Sequence, residues 1–147
     1  MNSRFHVILY TAAACLTVVG LAEAIYLTVM NLTGETAICG GSMDCFRVLG
    51  SSYARLGRVP VAGLGALAYY TAFSCAVFAA FGYVRARICF LIVVLAMFAT
   101  SIWLLYVQAF LLHAFCRYCL FSAALIFILT AVVVLIPSSE SLERDIA

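Results

Sequence analysis

The sequence predicts an all-α membrane protein: a bundle of four transmembrane helices with one longer outer loop between the first two. Three observations predict it. The chain has 147 residues, of which 67% are hydrophobic and only 10% charged, with a mean hydropathy of +1.20; a soluble domain carries about 25% charged residues. The apolar residues gather into four runs, each long enough for the roughly 20 residues that cross a hydrocarbon core. Those runs show no period-two alternation of the kind a barrel strand needs, so helices are the structure that satisfies their backbone in lipid.

The runs lie at about 6–30, 60–83, 88–112 and 115–136 and make residues 1–147 one integral membrane domain. The first follows the basic start Met1-Asn2-Ser3-Arg4 and exceeds a signal-peptide core of about 7–15 residues, so it is expected as an uncleaved helix. His6 and Glu23 interrupt it. The loop from Asn31 to Arg58 is punctuated by Gly34, Gly40, Gly41, Gly50 and Gly57. Within it, Phe46 to Leu56 mixes apolar and polar residues as a short helix lying in the membrane interface would. Pro60 suits the first turn of the second helix, where its missing N–H is not needed. Gly82 to Arg87 forms a tight charged turn, and His113-Ala114 leaves almost no loop before the fourth run. The tail from Pro137 is short and polar.

Parity of four spans places the 31–58 loop and the start of the fourth helix on one side, with both termini on the other. Arginines do not orient the bundle: Arg4, Arg85, Arg87 and Arg144 face one side and Arg47, Arg55, Arg58 and Arg117 the other, a tie under the positive-inside rule. Cysteines do. Disulfides persist in the periplasm, the endoplasmic reticulum lumen or outside the cell, which turns the cysteine-bearing side outward. A net charge of +2 without a basic run excludes a nucleic-acid partner; the solvating partner is membrane lipid.

The chemistry is expected in the cysteines. Cys116-Arg117-Tyr118-Cys119 is a C-x-x-C at the mouth of a transmembrane helix, and residues three apart share a helix face. The partial positive charge of a helix N-terminus favours thiolate there. Cys39 and Cys45 bracket a flexible Gly40-Gly41-Ser42-Met43-Asp44 segment in the outer loop. Two dithiols at a membrane point to electron transfer between disulfides and a lipid-soluble acceptor. The plainer alternative for the loop pair is a structural bridge contributing about 2–3 kcal/mol. Zinc held by His113, Cys116, Cys119 and a loop cysteine is the least favoured alternative, because His113-x-x-Cys116-x-x-Cys119 is not a standard zinc spacing; no metal is expected.

Cys15, Cys75 and Cys89 sit in or at the ends of apolar runs and read as small buried hydrophobes. Trp103, Tyr106, Phe110 and His113 form a helical stripe leading to Phe115 and the C-x-x-C. It suits either a pocket for an aromatic ring or packing combined with an interfacial aromatic belt. Glu23 is the one acid inside a span, and an intramembrane ionisable group is a functional candidate by default.

A combination of segments resembles the vitamin K epoxide reductase family in its bacterial form. They are Cys39-x5-Cys45, Val48-Leu49-Gly50-Ser51-Ser52-Tyr53-Ala54, Val59-Pro60-Val61-Ala62-Gly63-Leu64-Gly65 with Tyr69, and Cys116-x-x-Cys119 at a helix start. The resemblance spans nearly the whole chain. It implies a four-helix bundle holding a quinone, ubiquinone or menaquinone, beside the C-x-x-C. It also implies electrons arriving from a periplasmic thioredoxin-fold (DsbA-like) protein. By position, Cys39 would exchange disulfides with that partner, Cys45 would pass electrons to Cys116, and Cys119 would react with the quinone. Ser51 matches the family serine that follows the loop cysteines. Many bacterial relatives carry a thioredoxin-like domain fused after the last helix; only about ten residues follow Pro137 here, so the resemblance implies a partner on a separate chain. Vertebrate members place an asparagine and a tyrosine where this chain has Val61 and Ala123, which favours a plain quinone over an epoxide. The expected site is the bacterial inner membrane, with the cysteine pairs periplasmic and both termini cytoplasmic.

Overall fold

The computed structural model describes residues 3–33 and 52–135. Four helices long and apolar enough to cross a membrane make up most of them: α1 (Ser3–Thr33), α2 (Val61–Ala80), α3 (Val84–Tyr106) and α4 (Arg117–Leu135). With 31 residues, α1 is about 46 Å long at 1.5 Å per residue. That exceeds a hydrocarbon core of about 30 Å, so α1 tilts or projects past the bilayer.

The boundaries move from the expected ones for local reasons. Pro60 sits one residue before α2 as its N-cap, extended at φ −68° and ψ 139°. α2 ends at Ala80, and α3 already begins at Val84, taking Arg85 and Arg87 into its first turn. Long arginine stems allow this, since the heads can reach polar surroundings from a helix end; the Arg87 guanidinium lies 6.0 Å over the Tyr10 ring. After Tyr106 the helix widens into a π-turn, Val107–Leu112, which stops at His113 in the left-handed conformation (φ 48°, ψ 35°). α4 starts at Arg117 rather than at Phe115, so Phe115 and Cys116 precede the helix.

The expected interfacial helix over 46–56 is corrected at its C-terminal end; its earlier part lies outside the described residues. Ser52–Ala54 forms a 3₁₀ turn, followed by a two-stranded antiparallel hairpin of β1 (Arg55–Leu56) and β2 (Val59–Pro60), with Arg55 opposite Pro60 and Leu56 opposite Val59. Gly57 takes φ 68° at the hairpin tip, a conformation that glycine adopts without a Cβ penalty and that tight hairpins require.

Between helices in lipid there is little water to expel, so close contact holds them together. α1 lies most extensively against α2. Its buried Ala13, Thr17, Gly20 and Ala24 recur every three or four residues on one face, and α2 presents buried Tyr69, Ala72, Ala76 and Ala79. Edge-to-face pairs complete the bundle: Tyr10 against Phe90 joins α1 to α3, and Phe98 against Phe127 joins α3 to α4. Apolar side chains also cover the outer faces, among them Ile8, Leu67, Phe78, Ile92 and Ile128, as expected of helices surrounded by lipid.

The up-and-down order brings the end of α1, the hairpin, the start of α2, the π-turn and the start of α4 to one end of the bundle. Two contacts tie it: Arg55 donates from Nη2 to Asn31 Oδ1 at 3.1 Å, and the Tyr26 and Tyr118 rings meet at 6.1 Å.

Candidate active site

Cys116 occupies the cap of α4, its carbonyl accepting from the Leu120 N–H at 3.0 Å and so opening the helix ladder. Its own N–H donates to Gln108 Oε1 at 3.1 Å, and both residues are buried. The Ala114 N–H donates to the Gln108 carbonyl at 3.1 Å. One residue of the π-turn therefore holds the whole reversal from α3 to α4, by its main chain at one point and its side-chain amide at another. Replacing Gln108 with leucine would take the side-chain acceptor away from the buried Cys116 N–H. A cost of about 1–3 kcal/mol is expected, read as a lower thermal unfolding midpoint in detergent relative to the wild type.

The Cys116 thiol is set for ionisation. The Cys119 thiol one turn on is the largest influence, donating toward the Cys116 sulfur; burial opposes it, and the main-chain N–H groups of Cys119 and Tyr118 add to it. Together they hold Cys116 well below the ordinary thiol value. The main-chain share of this is the helix N-terminus effect expected for a C-x-x-C, and the Cys119 thiol supplies the larger share. Cys116 acts as the cap of the helix, so the exposed N–H groups of the first turn reach its sulfur directly. A depressed pKa means that Cys116 loses its proton at lower pH than an ordinary thiol of pKa about 8.5. In a difference titration of thiolate absorbance between wild type and Cys116→Ser, the missing component is expected at a pH below that value; a component at or above it would contradict the geometry.

Behind the thiols lies a polar cluster inside the bundle. The Tyr69 hydroxyl is 2.9 Å from Ser122 Oγ, linking α2 to α4. Glu23 on α1 has both carboxylate oxygens buried; the Ser122 hydroxyl on α4 is its side-chain hydrogen-bonding neighbour, and Tyr69, Cys116 and Cys119 lie close enough to interact with it electrostatically. It is also the only carboxylate among the described residues. Thus an ionisable group that the sequence singles out shares one end of the bundle with the Cys116–Cys119 pair.

The remaining expected site residues divide. Trp103, Tyr106 and Phe110 are exposed and stack in succession, with ring centroids 6.0 and 5.1 Å apart. They form a ladder on the outside of the bundle, while the inward positions of that stretch are Ser101, Val107 and Gln108. His113 and Phe115 continue the exposed edge. This is the placement of an interfacial belt, and a ring arriving from lipid would meet it beside the C-x-x-C. Ala123 is buried on α4 and Val61 is half-buried at the start of α2; neither side chain offers a hydrogen bond. Cys39, Cys45 and Ser51 lie outside the described residues.

Two further residues of the site were not anticipated, Gln108 and Ser122. The available signal was a solitary polar residue inside an apolar run, which in a membrane helix faces a partner. Cys15 is exposed on the bundle surface, contrary to its expected burial, whereas Cys75 is buried and Cys89 half-buried.

Residues 11–134 match the model of the vitamin K epoxide reductase family, a stretch that takes in Glu23, Tyr69, Gln108 and the Cys116–Cys119 pair. No curated protein matches the sequence.

Proposed function

The chain belongs to the vitamin K epoxide reductase family, and on that premise we propose that it generates disulfides as a thiol:quinone oxidoreductase. The family's membrane redox activity involves thiols and quinones, and four apolar helices make this chain an integral membrane protein. One observation carries the finer reading. A buried thiol, held toward thiolate by the first turn of a transmembrane helix, stands one turn from a second thiol at the lipid boundary.

In the proposed sequence, the reduced dithiol of a periplasmic thioredoxin-fold protein attacks the Cys39–Cys45 disulfide and leaves oxidised. Cys45 then attacks the Cys116 sulfur of a Cys116–Cys119 disulfide, displacing the Cys119 sulfur and forming a Cys45–Cys116 mixed disulfide. Cys39 attacks Cys45, re-forms the loop disulfide and displaces Cys116, which leaves the C-x-x-C reduced. Each attack requires thiolate, and each displaced sulfur departs more readily when its own pKa is low. Cys116, at the cap of α4, meets the second requirement when Cys39 displaces it from the mixed disulfide. The reduced pair gives two electrons and two protons to the quinone, ubiquinone or menaquinone, and closes again as a disulfide. One partner dithiol is thereby exchanged for one hydroquinone. The substrate quinone would approach from lipid past Phe115 and the Trp103–Tyr106–Phe110 ladder. Val61 and Ala123 give it no polar side-chain anchor, which suits a plain quinone better than an epoxide. The bacterial inner membrane, with this end of the bundle facing the periplasm and both termini cytoplasmic, is the setting in which such a relay operates.

The test is anaerobic. Purified protein is reduced, freed of reductant and mixed with ubiquinone or menaquinone while quinone absorbance is followed and free thiols are alkylated for mass spectrometry. Quinone reduction with concurrent protection of Cys116 and Cys119 is expected. Untouched quinone with both thiols still free would refute the proposal.

A further inference from the structure

At the end of the bundle opposite the C-x-x-C, a second pair of thiols meets. Cys75 on α2 and Cys89 on α3 are both free, with their Sγ atoms 2.8 Å apart. They flank the turn that joins the two helices, five residues before the end of α2 and five after the start of α3. Fourteen residues separate Cys75 from the first residue of α2, which is about 21 Å along the helix. Direct exchange with Cys116 or Cys119 is therefore excluded by distance. A disulfide bond of about 2.05 Å needs only a small further approach of the two sulfurs, and both side chains already point at each other from neighbouring helices.

From this geometry we infer that Cys75 and Cys89 are a separate oxidisable dithiol, which closes an α2–α3 disulfide when a lipid-soluble quinone is the oxidant. Position selects the class of oxidant. Both residues lie within membrane-spanning helices, Cys75 is buried and Cys89 only partly exposed, so a water-soluble disulfide has no direct approach, whereas a quinone dissolved in the bilayer reaches the Cys89 side. The balance is simple. The two S–H bonds break and one S–S bond forms. Two electrons and two protons pass to the quinone, which becomes hydroquinone. The product joins the two helices covalently across their turn and makes the state of this hairpin a record of the quinone pool.

The experiment uses the full chain in lipid nanodiscs, as wild type and as a variant in which Cys39, Cys45, Cys116 and Cys119 are all serine. Each is reduced, freed of reductant, exposed to excess ubiquinone under argon, unfolded in detergent, alkylated and digested with trypsin. Cleavage after Arg85 and Arg87 puts Cys75 and Cys89 on different peptides. The expected result in both proteins is one linked Cys75–Cys89 peptide pair that disappears on reduction. Should the fourfold variant lose its helical circular dichroism, the same peptide pair in the wild type decides. Two free, fully alkylated cysteines after quinone treatment would overturn the inference, as would crosslinking by copper phenanthroline alone with no effect of quinone. Because the fourfold variant lacks the relay cysteines, a linked pair there stands whether or not the wild type turns over a thiol partner.

Discussion

Cys119→Ser is expected to lose quinone reduction by on the order of a thousandfold or more, the scale on which removal of a covalent-chemistry nucleophile is felt. The fold should survive, because Cys119 is only half-buried and serine preserves its shape. Cys116→Ser should fail equally with a protein partner, since no mixed disulfide can then form at the cap of α4. Cys45→Ala should behave differently. It leaves the C-x-x-C intact, so a small dithiol reagent still drives quinone reduction, while electrons from a thioredoxin-fold protein no longer arrive. Stopped-flow quinone absorbance with both reductants separates these cases. Protein-driven turnover retained in Cys45→Ala would refute the relay through the loop pair, and quinone turnover retained in Cys119→Ser would refute its role at the acceptor.

Gly20→Ala is expected to be the most damaging conservative change in the bundle. A methyl at Gly20 would run into the Tyr69 ring. That ring cannot withdraw easily: it is buried, and its hydroxyl is held by Ser122 on α4. Overpacking at such a site costs about 1–3 kcal/mol. The same shift would also pull Tyr69 away from the polar cluster around Glu23. Tyr69→Phe keeps the ring and removes only the hydroxyl contact, so a smaller loss of about 1 kcal/mol is expected. The double variant Gly20→Ala/Tyr69→Ala removes the collision and should be less unstable than the sum of its single changes, as touching residues are non-additive. Thermal unfolding in detergent of the wild type, Gly20→Ala, Tyr69→Phe, Tyr69→Ala and the double variant makes the comparison. Simple additivity would show that α1 and α2 do not meet through this pair.

How far the site was legible can be followed residue by residue. The C-x-x-C announced itself by spacing and by its place at the start of an apolar run. Glu23 stood out because an acid in a span is costly and therefore rarely idle. Gln108 did not, because the run from Ile88 to Leu112 reads as uninterrupted helix. Only the π-turn shows why a glutamine belongs there: the wider turn and the left-handed His113 redirect the chain, and the amide then meets the Cys116 N–H. The aromatic stripe was visible as a period, but a period does not say which face of a helix looks inward. In a soluble protein polarity would mark the outer face; here both faces are apolar, and packing alone decided that Trp103, Tyr106 and Phe110 look out.

The sequence by itself determined the number of spans, their up-and-down order, the side shared by the loop and the C-x-x-C, and the family. Each of these follows from length, hydropathy, parity or motif, which are properties of the chain read along one line. Tertiary structure alone decided the rest: the seat of Cys116 on Gln108, the Tyr69 ring against Gly20, the linkage of Tyr69 to Ser122, and the meeting of Cys75 with Cys89. These pairs are separated by 8, 49, 53 and 14 residues. Lipid solvates any apolar face equally well, so nothing in hydrophobic pattern selects among the ways four such helices can be rotated against one another; small residues and a few buried polar contacts do.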